Sequence, residues 1–164
     1  MDYLFTPWRY AYVSTDRPAS ECVFCRVGSV GPTGDEASFV VHRARGCFIV
    51  LNIYPYNTGH VMVVPYLHAA RLGALPADAR TELFELAART EAVLEAEYHP
   101  DGINLGMNVG RCAGAGIADH LHLHVVPRWA ADTNFMTVSG DTRVLPEDLV
   151  RTWRRLHLAF GSRA

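Results

Sequence analysis

The chain has 164 residues and a mass of 18.2 kDa, the size of one ordinary domain. It is 49% hydrophobic and 20% charged, enough apolar material for a core and unlike the composition of a disordered chain. The formal net charge of −2 excludes a general nucleic-acid binder, which needs a basic face, and the absence of lysine excludes Schiff-base and P-loop lysine chemistry.

Residues 1–20 are rich in aromatic and turn residues (Tyr3, Phe5, Trp8, Tyr10, Tyr12) and read as an N-terminal arm. Residues 21–164 then read as a single domain. The first residues show no basic stretch followed by an apolar one, and no apolar run reaches the ~18 residues of a membrane helix. A cytoplasmic protein that engages neither membrane nor nucleic acid is expected. Cys22-Val-Phe-Cys25 follows the arm, and a Gly/Pro loop occupies Gly28–Gly34. In that compartment a C-x-x-C pair reads as metal or redox chemistry before disulfide.

Phe39–His42, Cys47–Leu51 and Val61–Pro65 are short Val/Ile/Phe-rich runs separated by turn residues, and read as strands. Pro76–Tyr98 reads as the long helix, with Leu83, Leu86, Thr90, Val93 and Leu94 recurring at helical spacing. Pro76 suits its start and Asp78 its positive end. Ile103–Asn108 and His120–Pro127 read as two more strands flanking the glycine-rich loop Gly110–Asp119, and a final helix runs from Pro146 to about Phe160. Clustered strands favour an α+β domain with a mainly antiparallel sheet.

His120-Leu-His122-Leu-His124 carries the chemistry. On a strand the three imidazoles share one face and Leu121, Leu123 and Val125 the other; on a helix His122 would point away from the other two. Three imidazoles on one face are poor packing material. They could bind a metal, or one could be a nucleophile oriented by its neighbours; the plain alternative is a polar, solvent-facing strand. A neutral imidazole whose N–H is held by a backbone carbonyl aims its other lone pair outward and needs no deprotonation. A second imidazole can then donate to phosphate or leaving group. Gly110, Gly114 and Gly116 let the loop approach an anion, and Arg111 and Arg128 add charge. His42, His99 and His157 have no supporting motif and read as surface or turn residues. Trp153 reads as packing, and Arg154-Arg155 as a solvated face.

The His120-x-His122-x-His124 signature resembles the histidine triad family of nucleotide hydrolases and transferases. So do the stretch from Asn52 to Gly59-His60, Val61–Pro65 followed by His68, Asn108-x-Gly110, and Pro127-Arg128. The Pro7-Trp8-Arg9 arm and the Pro127-Arg128-Trp129 ending resemble a bacterial branch containing enzymes that cleave diadenosine polyphosphates. The resemblance implies a HIT-like fold with one long and one C-terminal helix. His122 would be the nucleophile that forms an adenylyl-histidine intermediate. His124 and His60 would contact the reacting phosphate, Asn52 the ribose, and Asn108 a phosphate or the scissile oxygen. Gly114, Gly116 and Ile117 would supply backbone contacts. This loop reads Ala113-Gly-Ala-Gly-Ile117 where many relatives carry Ala-Gly-Gln-Ser or Ala-Gly-Gln-Thr, so its side-chain donor is absent.

Cys22 and Cys25 could be a redox pair, reduced core residues, or half of a zinc site. Bacterial histidine triad proteins imply the last, with His68 and His120 completing a closed, structural Cys₂His₂ set. No organic cofactor is expected. The implied partners are adenine nucleotides or dinucleoside polyphosphates, inorganic phosphate if it is the acceptor in place of water, and a second copy of the chain in a homodimer. The alternatives are a zinc-stabilised nucleotide-binding module with little turnover, or a hydrolase of other adenylyl conjugates.

Overall fold

The computed structural model describes residues 22–130, 132 and 147–162; the expected arm over residues 1–20 and the expected helix start at Pro146 lie outside them. Five strands form one antiparallel sheet in the order β1-β2-β3-β5-β4. They are β1 (Val40–Arg43), β2 (Cys47–Leu51), β3 (Val61–Pro65), β4 (Gly102–Gly106) and β5 (Leu123–Arg128). The helices are α1 (Val23–Ser29), a one-turn α2 (Asp35–Ser38), α3 (Ala77–Tyr98) and α4 (Leu149–Ser162). This is the expected α+β architecture.

Register decides what each sheet face carries. Phe48 pairs with Val64, Val50 with Met62, and Met62 with His124, so even-numbered residues of β2, β3 and β5 share a face. Phe24, Val23 and Val27 of α1 pack on the Phe48, Val50, Met62 and Val64 part of it. The opposite face presents Cys47, Ile49, Leu51, Val61, Val63, Leu123 and Val125 to α3 and α4. Buried residues of α3 are Leu83, Leu86, Ala87, Thr90, Val93 and Leu94, the stripe legible in the sequence. Truncating a fully buried Leu such as Leu83 or Leu94 to Ala costs about 2–5 kcal/mol. Asp78 lies in the first turn of α3, and His99 caps its end in a left-handed conformation, donating its N–H to the Glu95 carbonyl.

Two expectations are corrected. The Cys22–Cys25 segment opens a helix, and Gly28, expected in a loop, lies within it. At seven residues α1 is too short for periodicity to declare itself; it persists because Phe24 is buried on the sheet. The last strand begins at Leu123, not His120. The β3–β5 ladder stops at Val63–Leu123 because Pro65 has no N–H. Its carbonyl instead accepts a bond from the His120 ring at 2.8 Å, and the Leu121 N–H turns to the Ala69 carbonyl at 2.7 Å. The alternation survives: Leu121 lies in the α3/α4 core, while His120 and His122 meet Phe24 on the other face.

α4 is fastened to β1 and its neighbours by residues to which the sequence reading gave no fastening role. Trp153 packs as expected, and its indole N–H donates to the Val40 carbonyl at 2.8 Å. His157 donates to the Val41 carbonyl at 2.9 Å. Arg154 and Arg155 are not merely solvated; they pair with Glu36 and Glu97. His42, in β1, is half-buried, stacks on Phe160 and accepts an Arg89 N–H at 3.2 Å. Burial first, then the Arg89 and His157 charges, lower its pKa from 6.5. The unfolded chain therefore binds the proton more tightly. Stability is full above about pH 6.5 and falls as pH drops through the lower folded value. Urea midpoints measured from neutral to acid pH should fall, and His42→Gln, which keeps an acceptor for Arg89, should flatten that slope. An equal slope in the variant would assign the acid sensitivity elsewhere.

Candidate active site and metal centre

The strand parity that places His124 beside Met62 also brings His60 and Asn52 to the same face. Asn52 continues β2 by one residue, and His60 immediately precedes β3. The turn between them closes through Asn52 N–H to the His60 carbonyl at 3.0 Å and His60 N–H to the Asn57 carbonyl at 3.2 Å. Gly59 turns the chain with φ +79°, and a Cβ there would meet Pro127, Leu94 and Tyr98 at 3.2–3.4 Å. Glycine thus lets His60 approach the core, where it is 1% exposed.

The hydrogen bonds assign the imidazole protons. The Tyr56 N–H donates to His60 Nδ1 at 3.1 Å, so the His60 proton resides on Nε2. That Nε2–H donates to His124 Nδ1 at 2.9 Å, which leaves the His124 proton on its own Nε2. The Asn52 carboxamide nitrogen lies against the His60 ring at 3.4 Å, and its oxygen accepts the Tyr54 N–H at 3.0 Å. His122 Nδ1 donates to the His120 carbonyl at 2.9 Å, so its Nε2 carries a lone pair. Burial lowers the His122 pKa from 6.5, opposed by the bond to the His120 carbonyl, and the ring is neutral at pH 7. The His122 and His124 rings meet edge to face, centroids 4.8 Å apart. The site therefore sets an imidazole lone pair beside an imidazole N–H, the pairing needed for attack at phosphorus with a donor for the departing oxygen.

Asn108 lies just beyond β4 and donates to the Gly114 carbonyl at 3.4 Å. Gly110 and Gly114 both take positive φ, and the turn they frame spends the Gly114 N–H on the Arg111 carbonyl at 2.9 Å. Gly116 is exposed, and the Ile117 side chain packs against the α1 cluster. Three contributors were not legible from spacing: Phe24, whose ring lies 5.0 Å from that of His122; Tyr56, whose ring lies 4.7 Å from that of His60; and the Pro65 carbonyl. Tyr56 lay inside the recognised Asn52–His60 stretch, which was the available signal. Beyond His124 the sheet face opens into a cavity of about 330 Å³ lined in part by Asn57, Asn104, Asn108, Arg128 and Asp132.

Cys22, Cys25, His68 and His120 come together at the start of α1. Their ligand atoms lie within 4.8 Å of one another; Cys22 Sγ is 3.3 Å and Cys25 Sγ 3.6 Å from His120 Nδ1, and Cys25 Sγ is 3.2 Å from His68 Nδ1. Tetrahedral zinc with bonds of about 2.0–2.3 Å needs donors roughly 3.3–3.8 Å apart, so the cluster fits the ion after small adjustments. The chemistry agrees: His120 gives its Nε2–H to Pro65, leaving Nδ1 as a lone pair toward the sulfurs, an orientation typical of a ligating histidine. Burial lowers the His120 pKa and favours the neutral ring. By contrast, burial and Glu82 push the Cys47 thiol up to about 12, so it stays a core thiol.

The chain is similar to several known proteins. The AP-4-A phosphorylase of Mycobacterium tuberculosis is 39% identical over 158 residues, spanning 93% of this chain and 80% of that protein. The adenosine 5'-monophosphoramidase of Candida albicans is 26% identical over 113 residues, spanning 66% of this chain and 71% of that protein. A zinc-bound histidine triad family protein from Mycobacterium smegmatis superposes with a TM-score of 0.67 at 27% identity, over 89% of this chain and 97% of that one. Residues 33–131 match the HIT domain, and the chain belongs to the HIT family.

Proposed function

We propose that this protein is a phosphorylase of diadenosine polyphosphates that works through an adenylyl-histidine intermediate. The observation that carries the reading is the His122–His120 bond, which fixes the nucleophilic tautomer without a base. His122 Nε2 attacks the α-phosphorus, and the polyphosphate departs as the P–O bond breaks. His124, its Nδ1 held by His60, presents its Nε2–H to the departing oxygen. Asn52 takes the ribose hydroxyls, Asn108 a phosphate oxygen, and the Gly114–Ile117 loop lies along the α-phosphate. Resemblance to the M. tuberculosis phosphorylase favours inorganic phosphate over water as acceptor.

Zinc held by Cys22, Cys25, His68 and His120 would supply a structural clasp between α1 and the sheet, with four protein ligands and no open position. A homodimer is supported by β4, an edge strand with Leu105 half exposed and little side-chain protection along it. Among the described residues no helix is long and apolar enough to cross a membrane.

The test is incubation with diadenosine tetraphosphate, with and without inorganic phosphate, followed by chromatography of the nucleotides. ADP and ATP formed only with phosphate are expected. AMP in both incubations would make the protein a hydrolase, and no cleavage would leave a binding module.

A further inference from the structure

We propose that the cavity beyond His124 is a phosphate subsite shared by the departing polyphosphate and the incoming inorganic phosphate, with Arg128 as its cation; this rests on the adenylyl-transfer reading above. His124 pairs with Gly106, and Val126 with Asn104, so Asn104, Val126 and Arg128 continue the histidine face along the sheet, about 7 Å per two residues. Arg128 is held rather than loose. Its Nη1 donates to Asn104 Oδ1 at 2.9 Å, and its Nε and Nη2 donate to the two oxygens of Asp132 at 2.5 and 2.8 Å. Asp132 is itself anchored, accepting from the Asn57 carboxamide at 2.7 Å and the Trp129 N–H at 3.3 Å. Arg128, drawn first by that hydrogen bond, holds the Asp132 carboxyl far below the usual carboxylate range. A guanidinium has five N–H groups; three are used in these bonds, and the side chain is 44% exposed. Among the described residues it is the arginine that lines the cavity, flanked by the carboxamides of Asn57, Asn104 and Asn108. Asn57 spends both of its N–H groups, on the Pro127 carbonyl at 3.0 Å and on Asp132, so the amide donors beside the fixed guanidinium are those of Asn104 and Asn108, a recognition set for phosphate oxygens. Asp132 is then a positioning residue.

The chemistry explains why one subsite serves twice. In the first step the His122 Nε2–P bond forms as the P–O bond to the polyphosphate breaks, and diadenosine tetraphosphate releases ATP. In the second a phosphate oxygen bonds to the same phosphorus as the N–P bond breaks. The neutral imidazole returns, and ADP retains the phosphate proton until water removes it. In-line displacement places both the leaving and the entering oxygen opposite Nε2, so groups that hold the phosphates of one also hold the other.

The test compares Arg128→Gln and Arg128→Lys with the parent. Alkali-quenched bursts with diadenosine tetraphosphate, phosphate omitted, report the leaving chain; KM for inorganic phosphate reports the acceptor. Arg128→Gln should slow the burst about tenfold and raise that KM about tenfold, with Arg128→Lys intermediate. The loss with adenosine 5'-phosphoramidate, a donor with no further phosphate, should be at least about tenfold smaller than the loss with the tetraphosphate. If either the burst or the phosphate KM of Arg128→Gln stays within about twofold of the parent, the shared subsite is wrong. If the parent forms no covalent nucleotidyl-protein from either donor, it is the adenylyl-transfer reading that fails.

Discussion

Replacing His122 with Asn is expected to lower turnover of diadenosine tetraphosphate by at least about 10⁴-fold, because it deletes the nucleophile itself. The substitution is chosen to isolate chemistry from folding. The parent ring is 5% exposed and gives its Nδ1–H to the His120 carbonyl; an Asn side-chain amide can give an N–H to the same acceptor, so the melting temperature should hold within a few degrees. Alkaline quench of the parent with labelled dinucleotide should trap a protein-bound adenylyl group stable to base and labile to acid, and His122→Asn should trap none. A variant that still turned over at the parental rate would remove His122 from the reaction. Loss of His60 should be less severe, since it acts through His124, and the double change should cost less than the product of the single losses.

Changing Cys22 and Cys25 together to Ser is expected to be the largest effect on stability. The pair supplies half of a four-donor cluster whose other members lie 43 and 98 residues away in sequence, at His68 and His120. A metal held there would clasp a helix of seven residues that could not persist alone. Zinc content after dialysis should fall from about one ion per chain to near none, and the melting temperature by about 10 °C, corresponding to roughly 3–4 kcal/mol in a domain of this size. His68→Ala should cost less, because His68 is the exposed member of the set. A parent protein free of zinc under metal-replete expression would refute the clasp.

Legibility in the sequence followed burial and period. Cys47–Leu51 and Val61–Pro65 coincide with β2 and β3 because both faces of these strands are covered, and continuous apolar runs announce that directly. α3 was visible through its buried stripe. The alternating histidines were visible as one face, although the ladder that explains it starts only at Leu123. α1 was hidden by its brevity. The cavity was hidden for another reason: Asn57, Asn104 and Asp132 come from three separate segments, and nothing in their local context marks them before β4 and β5 pair. His42 and His157 looked idle for want of a motif, yet the His42 stack on Phe160 and the His157 bond to the Val41 carbonyl fasten the last helix to the edge strand.

His120 faces two ways at once. Its ring nitrogen points at the sulfurs of Cys22 and Cys25, while its own carbonyl sets the proton on His122. With a metal at those sulfurs, and His122 as the proposed nucleophile, ion capture and the aim of the lone pair would be joined through a single residue. A thiophilic or chelating compound entering from the solvent side of His68 would silence catalysis by the back door, without competing with any nucleotide, which offers inhibitor design a route that substrate analogues do not share.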